Sequence, residues 1–197
     1  MEKGISVKRI IIDILIVKDQ VLNHFRNQEK YKDLLNYLTA KDYLNDDNLK
    51  IPTFKEIENA TGIKTYHIRK QLSEIYESFF SYDNGMRFNF KKCEIVFIMK
   101  NYQRYASVIC NNISHLPRIG DNISLSFVKA KVGTDYFYVD DIRHYFEENS
   151  QSIHIFLKGG IFNQYWHNRL HEAMEKRELP FKDFYDLNDY ELKQKLL

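Results

Sequence analysis

Cysteine, proline and glycine are scarce in this chain, which holds two, three and seven of them among 197 residues. Two cysteines cannot build the disulfide framework of a small secreted scaffold. So few prolines and glycines leave no room for long flexible linkers. Charge of one sign is also missing. The net charge is +2, and residues 1–85 carry 13 basic and 13 acidic side chains. Any basic face able to hold phosphates must therefore be local. Long apolar runs are absent as well. Residues 10–17, IIIDILIV, are interrupted by Asp13 and too short to span a bilayer, and no small-residue cleavage site follows them. The expectation is a cytoplasmic protein with reduced thiols and no membrane partner. No phosphate loop, dinucleotide fingerprint, nucleophile elbow or paired-cysteine zinc motif occurs. There is no internal repeat.

Aromatic residues, by contrast, are plentiful, with 14 Tyr and 14 Phe. The length allows a sizeable core in one or two domains. Apolar spacing divides the chain into a helical first part and a strand-rich second part. Ile10, Ile14, Val17 and Val21 recur at helical intervals, predicting one helix over 5–26, with a strand over 9–17 as the rival. Tyr31, Leu34, Leu35 and Leu38 predict a second helix over 29–43, followed by a polar loop over 45–50.

The period changes at Ser81-Tyr82-Asp83-Asn84-Gly85, where Asn84-Gly85 is a turn signal. Strands are predicted over 87–90, 93–99, 105–110, 123–128, 136–139 and 153–157. In the fourth, Ile123, Leu125 and Phe127 alternate with Ser124 and Ser126. Ile95 to Ile98 are apolar on both faces, which suits a buried central strand better than the tip of a DNA-binding wing. A turn at Asn101-Tyr102 would set Cys93 opposite Cys110. A redox pair is one reading of that arrangement, and two buried apolar side chains the plainer one. A helix is predicted over 161–177, and the residues after it either cover the core or reach a neighbouring subunit.

The most informative stretch is Thr53 to Phe80, TFKEIENATGIKTYHIRKQLSEIYESFF. Thr53 and Glu56 have the spacing of a capping box, and Gly62 can take the positive φ that reverses the chain. Thr65 is placed to cap a second helix. Ile68, Leu72, Ile75 and Phe79 form its apolar stripe. Its opposite face holds Lys64, Thr65, Tyr66, Arg69, Lys70 and Ser73.

At these residues the chain resembles the helix-turn-helix families of bacterial transcription regulators, in which a stretch like E-I-x-x-A-T-G-I is common. The likeness covers about 28 of the 197 residues. It departs at Glu58, where many such units have a small residue. The resemblance implies duplex DNA as partner, with Lys64, Thr65, Tyr66, Arg69, Lys70 and Ser73 at the groove-facing positions.

Candidate chemistry elsewhere is sparse. His167 and His171 are four apart on a predicted helix and could share a metal with His144 or Glu172. Asp140 and Asp141 could hold an ion with His144, although adjacent carboxylates on a strand face opposite ways. Surface histidines and a solvated strand end are the plainer readings, so neither a metal nor a cofactor is assigned. Tyr136, Phe137 and Tyr138 could stack on bases, but an aromatic strand more often fills a core.

The expected fold is α+β. A helical domain over 1–82 carries a helix-turn-helix at 53–80. An antiparallel β-barrel or sandwich over 86–160 follows, and then a C-terminal helix and tail over 161–197. The expected function is a non-enzymatic DNA-binding protein, a transcription regulator whose β domain dimerises or senses. A homodimer is inferred because one weakly charged unit lacks affinity that two half-sites would supply. Two alternatives stand beside it: a docking module of mobile-element or phage type, and a metal-dependent hydrolase.

Overall fold

A computed structural model describes residues 5–83 and 85–197. The chain is mixed α+β and separates into two units. One comprises Met1–Lys92 with Phe146–Gln151, the other Cys93–Tyr145 with Ser152–Leu197. Asn84, half of the expected Asn-Gly turn, lies outside the described residues.

Among the described residues the first unit holds five helices: α1 (Val7–Ile16), α2 (Lys18–Phe25), α3 (Glu29–Thr39), α4 (Phe54–Thr61) and α5 (Thr65–Glu77). Its core draws Ile14, Val21, Leu34, Leu38, Ile57, Ile68, Leu72 and Ile75 from all five, each fully buried. Each such side chain contributes roughly 1.5–3 kcal/mol by leaving water.

The single helix expected over 5–26 is two. The carbonyl of Ile16, which an unbroken helix would offer to the Gln20 N–H, accepts instead from the backbone N–H of Glu148 at 3.0 Å. The Gln20 N–H turns to the carbonyl of Val17 at 3.0 Å, and Val17 leaves helical geometry at φ −120°, ψ 30°. The Gln20 side chain completes the joint. Its amide nitrogen donates to the Glu148 carbonyl, and its oxygen accepts from the Asn89 N–H at 2.6 Å. Gln20 is the one buried polar side chain among the described residues, and both ends of its amide are used.

The second unit is built on five strands, apart from Lys92, Phe146–Glu147 and Ser150–Gln151, which fall in the first: β1 (Lys92–Asn101), β2 (Arg104–Cys110), β3 (Asn122–Ser124), β4 (Tyr136–Glu147) and β5 (Ser150–Gly159). They form one sheet in the order β2-β1-β5-β4-β3, curled as a half-barrel. The closed barrel or two-sheet sandwich is thus replaced by one open sheet. β1 lies inside it, as its double-sided apolar pattern predicted, and Ile95, Phe97 and Met99 point to the core. The aromatic strand is also partly core: Phe137 is fully buried and Tyr138 nearly so, while Tyr136 is exposed.

Three local expectations fail. Residues 87–90 join no ladder. The strand predicted over 123–128 stops at Ser124 and passes into a 3-10 turn (Ser126–Val128) and the short helix α6 (Lys129–Val132). The core takes Val128 and Val132, four apart, and leaves Phe127 exposed. The β1–β2 turn sits at Tyr102-Gln103 rather than Asn101-Tyr102, so Cys110 lies opposite Ile95 and not Cys93. Tyr102 takes a positive φ of 53° to make that two-residue turn. A two-residue register offset is too far for a disulfide without backbone movement. Cys93 is moreover exposed, not buried.

The C-terminal residues form α7 (Gln164–Glu175), α8 (Asp183–Asp186) and α9 (Asp189–Leu196). The tail folds back on its own helix: Leu192 and Leu196 of α9 bury against Trp166 and Ala173 of α7. No described helix is long and apolar enough to cross a membrane.

Candidate nucleic-acid interface

α4 starts where its sequence says it should. The Thr53 hydroxyl accepts from the Glu56 N–H at 3.4 Å, and the Glu56 carboxylate accepts from the Thr53 N–H at 2.7 Å. Donation from the Thr53 N–H, and then from the Thr53 hydroxyl at 2.8 Å, holds the Glu56 carboxyl below its ordinary pKa. The helix ends on Gly62 in the left-handed region, φ 72°, with its N–H on the carbonyl of Glu58 at 2.8 Å. A side chain at that φ would carry strain, and glycine does not.

The start of α5 corrects the sequence reading. Thr65 is the first helical residue, not the cap, and the cap position, Lys64, makes no side-chain bond. The capping work is done by Glu58. Its carboxylate accepts from the Thr65 N–H at 3.2 Å and from the Thr65 hydroxyl at 2.5 Å. The residue that departs from the helix-turn-helix pattern therefore has a partner within the unit. It satisfies an orphan donor and places negative charge at a helix N-terminus.

Ile68, Leu72 and Ile75 bury one side of α5 completely. Opposite them, Tyr66, Lys70, Ser73 and Glu77 follow at four, three and four residues and form the outward strip, all exposed. Tyr66 is 70% exposed. Lys64 is exposed at one end. Arg69 is exposed on the flank, its guanidinium 4.8 Å above the ring of Phe54 at the start of α4. That stacking limits its freedom while leaving its donors available. Thr65 is half-buried against Glu58 and is the least available of the six.

His67 was not among the expected site residues. It is exposed beside Tyr66, with ring centroids 5.4 Å apart. Its position next to a tyrosine in the first turn was the available signal. Two acids also bear on the electrostatics. Glu74 accepts from Lys30 and from the Tyr31 hydroxyl, and the lysine above all holds its carboxyl below the usual range. It is thereby balanced within the unit. Glu77 pairs with no cation among the described residues and sits on the outward strip itself.

The other candidate residues do not converge. His167 and His171 do share a face of α7, with ring centroids 4.5 Å apart. The acids considered beside them are paired elsewhere: Glu172 with Lys176, Asp140 with Lys158 at 3.1 Å, and Asp141 with Arg143 at 2.7 Å. Among the described residues, no three His, Cys, Asp or Glu side chains gather closely enough to share an ion.

No family model matches this chain, and neither a curated protein nor a solved structure resembles it significantly.

Proposed function

We propose that this chain is a DNA-binding protein, a transcription regulator, that reads duplex DNA with Lys64 at the cap of α5 and Thr65, Tyr66, Arg69, Lys70 and Ser73 within it, in the manner of a helix-turn-helix. One observation carries the reading. The outward face of α5 presents exposed Tyr66, Lys70 and Ser73 between exposed Lys64 and Arg69, and the five make no ion pair among the described residues. Lysine and arginine supply phosphate contacts, and the tyrosine and serine hydroxyls can donate to base edges or backbone. A homodimer would present two such faces to half-sites about 34 Å apart and double a modest positive patch. In this reading the β-rich unit dimerises or senses.

Selection from a random duplex pool, read by gel shift, tests it. Binding should fall steeply with added salt. Replacing both Arg69 and Lys70 with alanine should weaken it by about tenfold or more, with the fold intact. Undiminished affinity in that double variant sinks the reading.

A protein-docking role has one observation in its favour: Glu77, without an ion-pair partner among the described residues, places a carboxylate on the strip a duplex would meet. A protein partner recovered with the chain, with no duplex selected from the pool, would replace the first reading with this one.

A further inference from the structure

Residues 87–91, after α5, divide their side chains by parity. Phe88 and Phe90 stack on each other, with centroids 6.3 Å apart and planes within 6°. Phe79 and Phe146 meet them edge-on at either end. The intervening residues Arg87, Asn89 and Lys91 turn the other way and, with Lys92, line a cleft of about 770 Å³. The opposite wall is α2, and Asn149 closes one side. Every lining residue belongs to the helical unit, and none lies on α5.

The walls are fixed by backbone hydrogen bonds. The Asn89 N–H is held by the buried Gln20 at 2.6 Å. The N–H groups of Lys91 and Lys92 both donate to the Asn149 carbonyl, at 3.1 and 3.4 Å. The cations therefore stand on anchored backbone, and a ligand does not have to order it.

The lining defines the ligand's chemistry. Arg87, Lys91 and Lys92 are exposed, and among the described residues none forms an ion pair. Among the described residues Asp19 is the only acid in the lining, and it accepts from the Asn149 amide at 3.1 Å. Met86 is the only large apolar side chain there among the described residues. A lipid or an apolar effector would find one large apolar side chain, itself largely buried, to pack against. An oxyanion would find a guanidinium fork, two ammonium groups and side-chain amides. The volume lies within the roughly 300–1,000 Å³ of small-molecule sites. We infer that this cleft binds a phosphorylated ligand through Arg87, Lys91 and Lys92. The inference does not depend on duplex recognition by α5.

The test is calorimetric titration of the full chain with pyrophosphate at low ionic strength. Saturable binding is expected, and R87A/K91A should weaken it about a hundredfold, about tenfold for each charge-assisted contact removed. R87Q/K91Q, which keeps more of each stem, is read the same way if the alanine variant folds poorly. The R69A/K70A and K55A/K131A variants should bind pyrophosphate as the parent does. No saturable binding overturns the proposal. So does retained affinity in the cleft variants, or an equal loss in K55A/K131A, which would mark mere diffuse charge. A ten-nucleotide single strand that displaces pyrophosphate identifies the phosphoryl source as a nucleic-acid backbone. A strand that fails to displace it identifies a small phosphate ester.

Discussion

Glu58 and Thr65 form the hinge pin of the α4–α5 pair. One carboxylate oxygen of Glu58 takes both the backbone N–H of Thr65, at 3.2 Å, and its hydroxyl, at 2.5 Å. The contact spans seven residues and fixes how the second helix leaves the turn. Glu58→Ala should cost about 1 kcal/mol, the usual worth of a lost N-cap acceptor, read as a lower urea midpoint with an unchanged slope. Wild-type stability in that variant would show the bond to be idle.

The α5 strip separates two effects on duplex binding. Lys70→Ala should weaken affinity for all sequences alike and lower the salt slope by about 1, the signature of one lost phosphate contact. Glu77→Gln removes the carboxylate on the strip and should tighten binding. Tighter binding from the first variant, or weaker from the second, would contradict the assigned surface.

Gln20 ties three pieces of the helical unit together through its amide. Gln20→Ala leaves the Asn89 N–H and the Glu148 carbonyl without their side-chain partner and should destabilise by about 1–3 kcal/mol. The measurement is chemical denaturation. Because the same amide braces the cleft wall, pyrophosphate affinity should fall in the variant even under conditions where it remains folded.

His167 should give the β-rich unit a pH dependence. Burial first, and the neighbouring His171 second, hold its pKa below the ordinary 6.5. The unfolded chain therefore binds a proton at a higher pH than the folded one. Its contribution is fully present above about 6.5 and is lost as pH falls below that value toward the depressed folded pKa. Thermal melts from pH 7.5 to 5 should show declining stability, and His167→Gln should flatten the decline. An equally steep decline in the variant would place its origin elsewhere.

Short-range chemistry was legible and long-range chemistry was not. Thr53 with Glu56, and Gly62 after Thr61, announce helix ends because every partner lies within four residues. The apolar stripe Ile68, Leu72 and Ile75 announces a buried side for the same reason. The break between α1 and α2 could not be read, since the donor that takes the Ile16 carbonyl is Glu148, distant in sequence. The β1–β2 register slipped because the turn falls one residue later than expected and is made by a tyrosine at positive φ. At Ile123, Leu125 and Phe127 a sound alternation lost to the core, which had space for Val128 and Val132. In the candidate site, the exposed face of α5 could be listed residue by residue from helical periodicity. The roles of Glu58 and Lys30 could not. The cleft at Arg87 was invisible, because its opposite wall is contributed by α2 and by Asn149.

By itself, the order of residues determined both ends of α4, which sides of the helices are apolar, and that strands follow residue 85. These depend on torsional preference, hydrogen bonds within a turn, and burial at fixed periods, all of which act between near neighbours. Tertiary structure alone decided that the strands form one open sheet, that α1 and α2 separate, and that three cations share one cleft. Those outcomes rest on contacts between residues far apart along the chain, where the donor, the cavity or the charge exists only once the chain has folded.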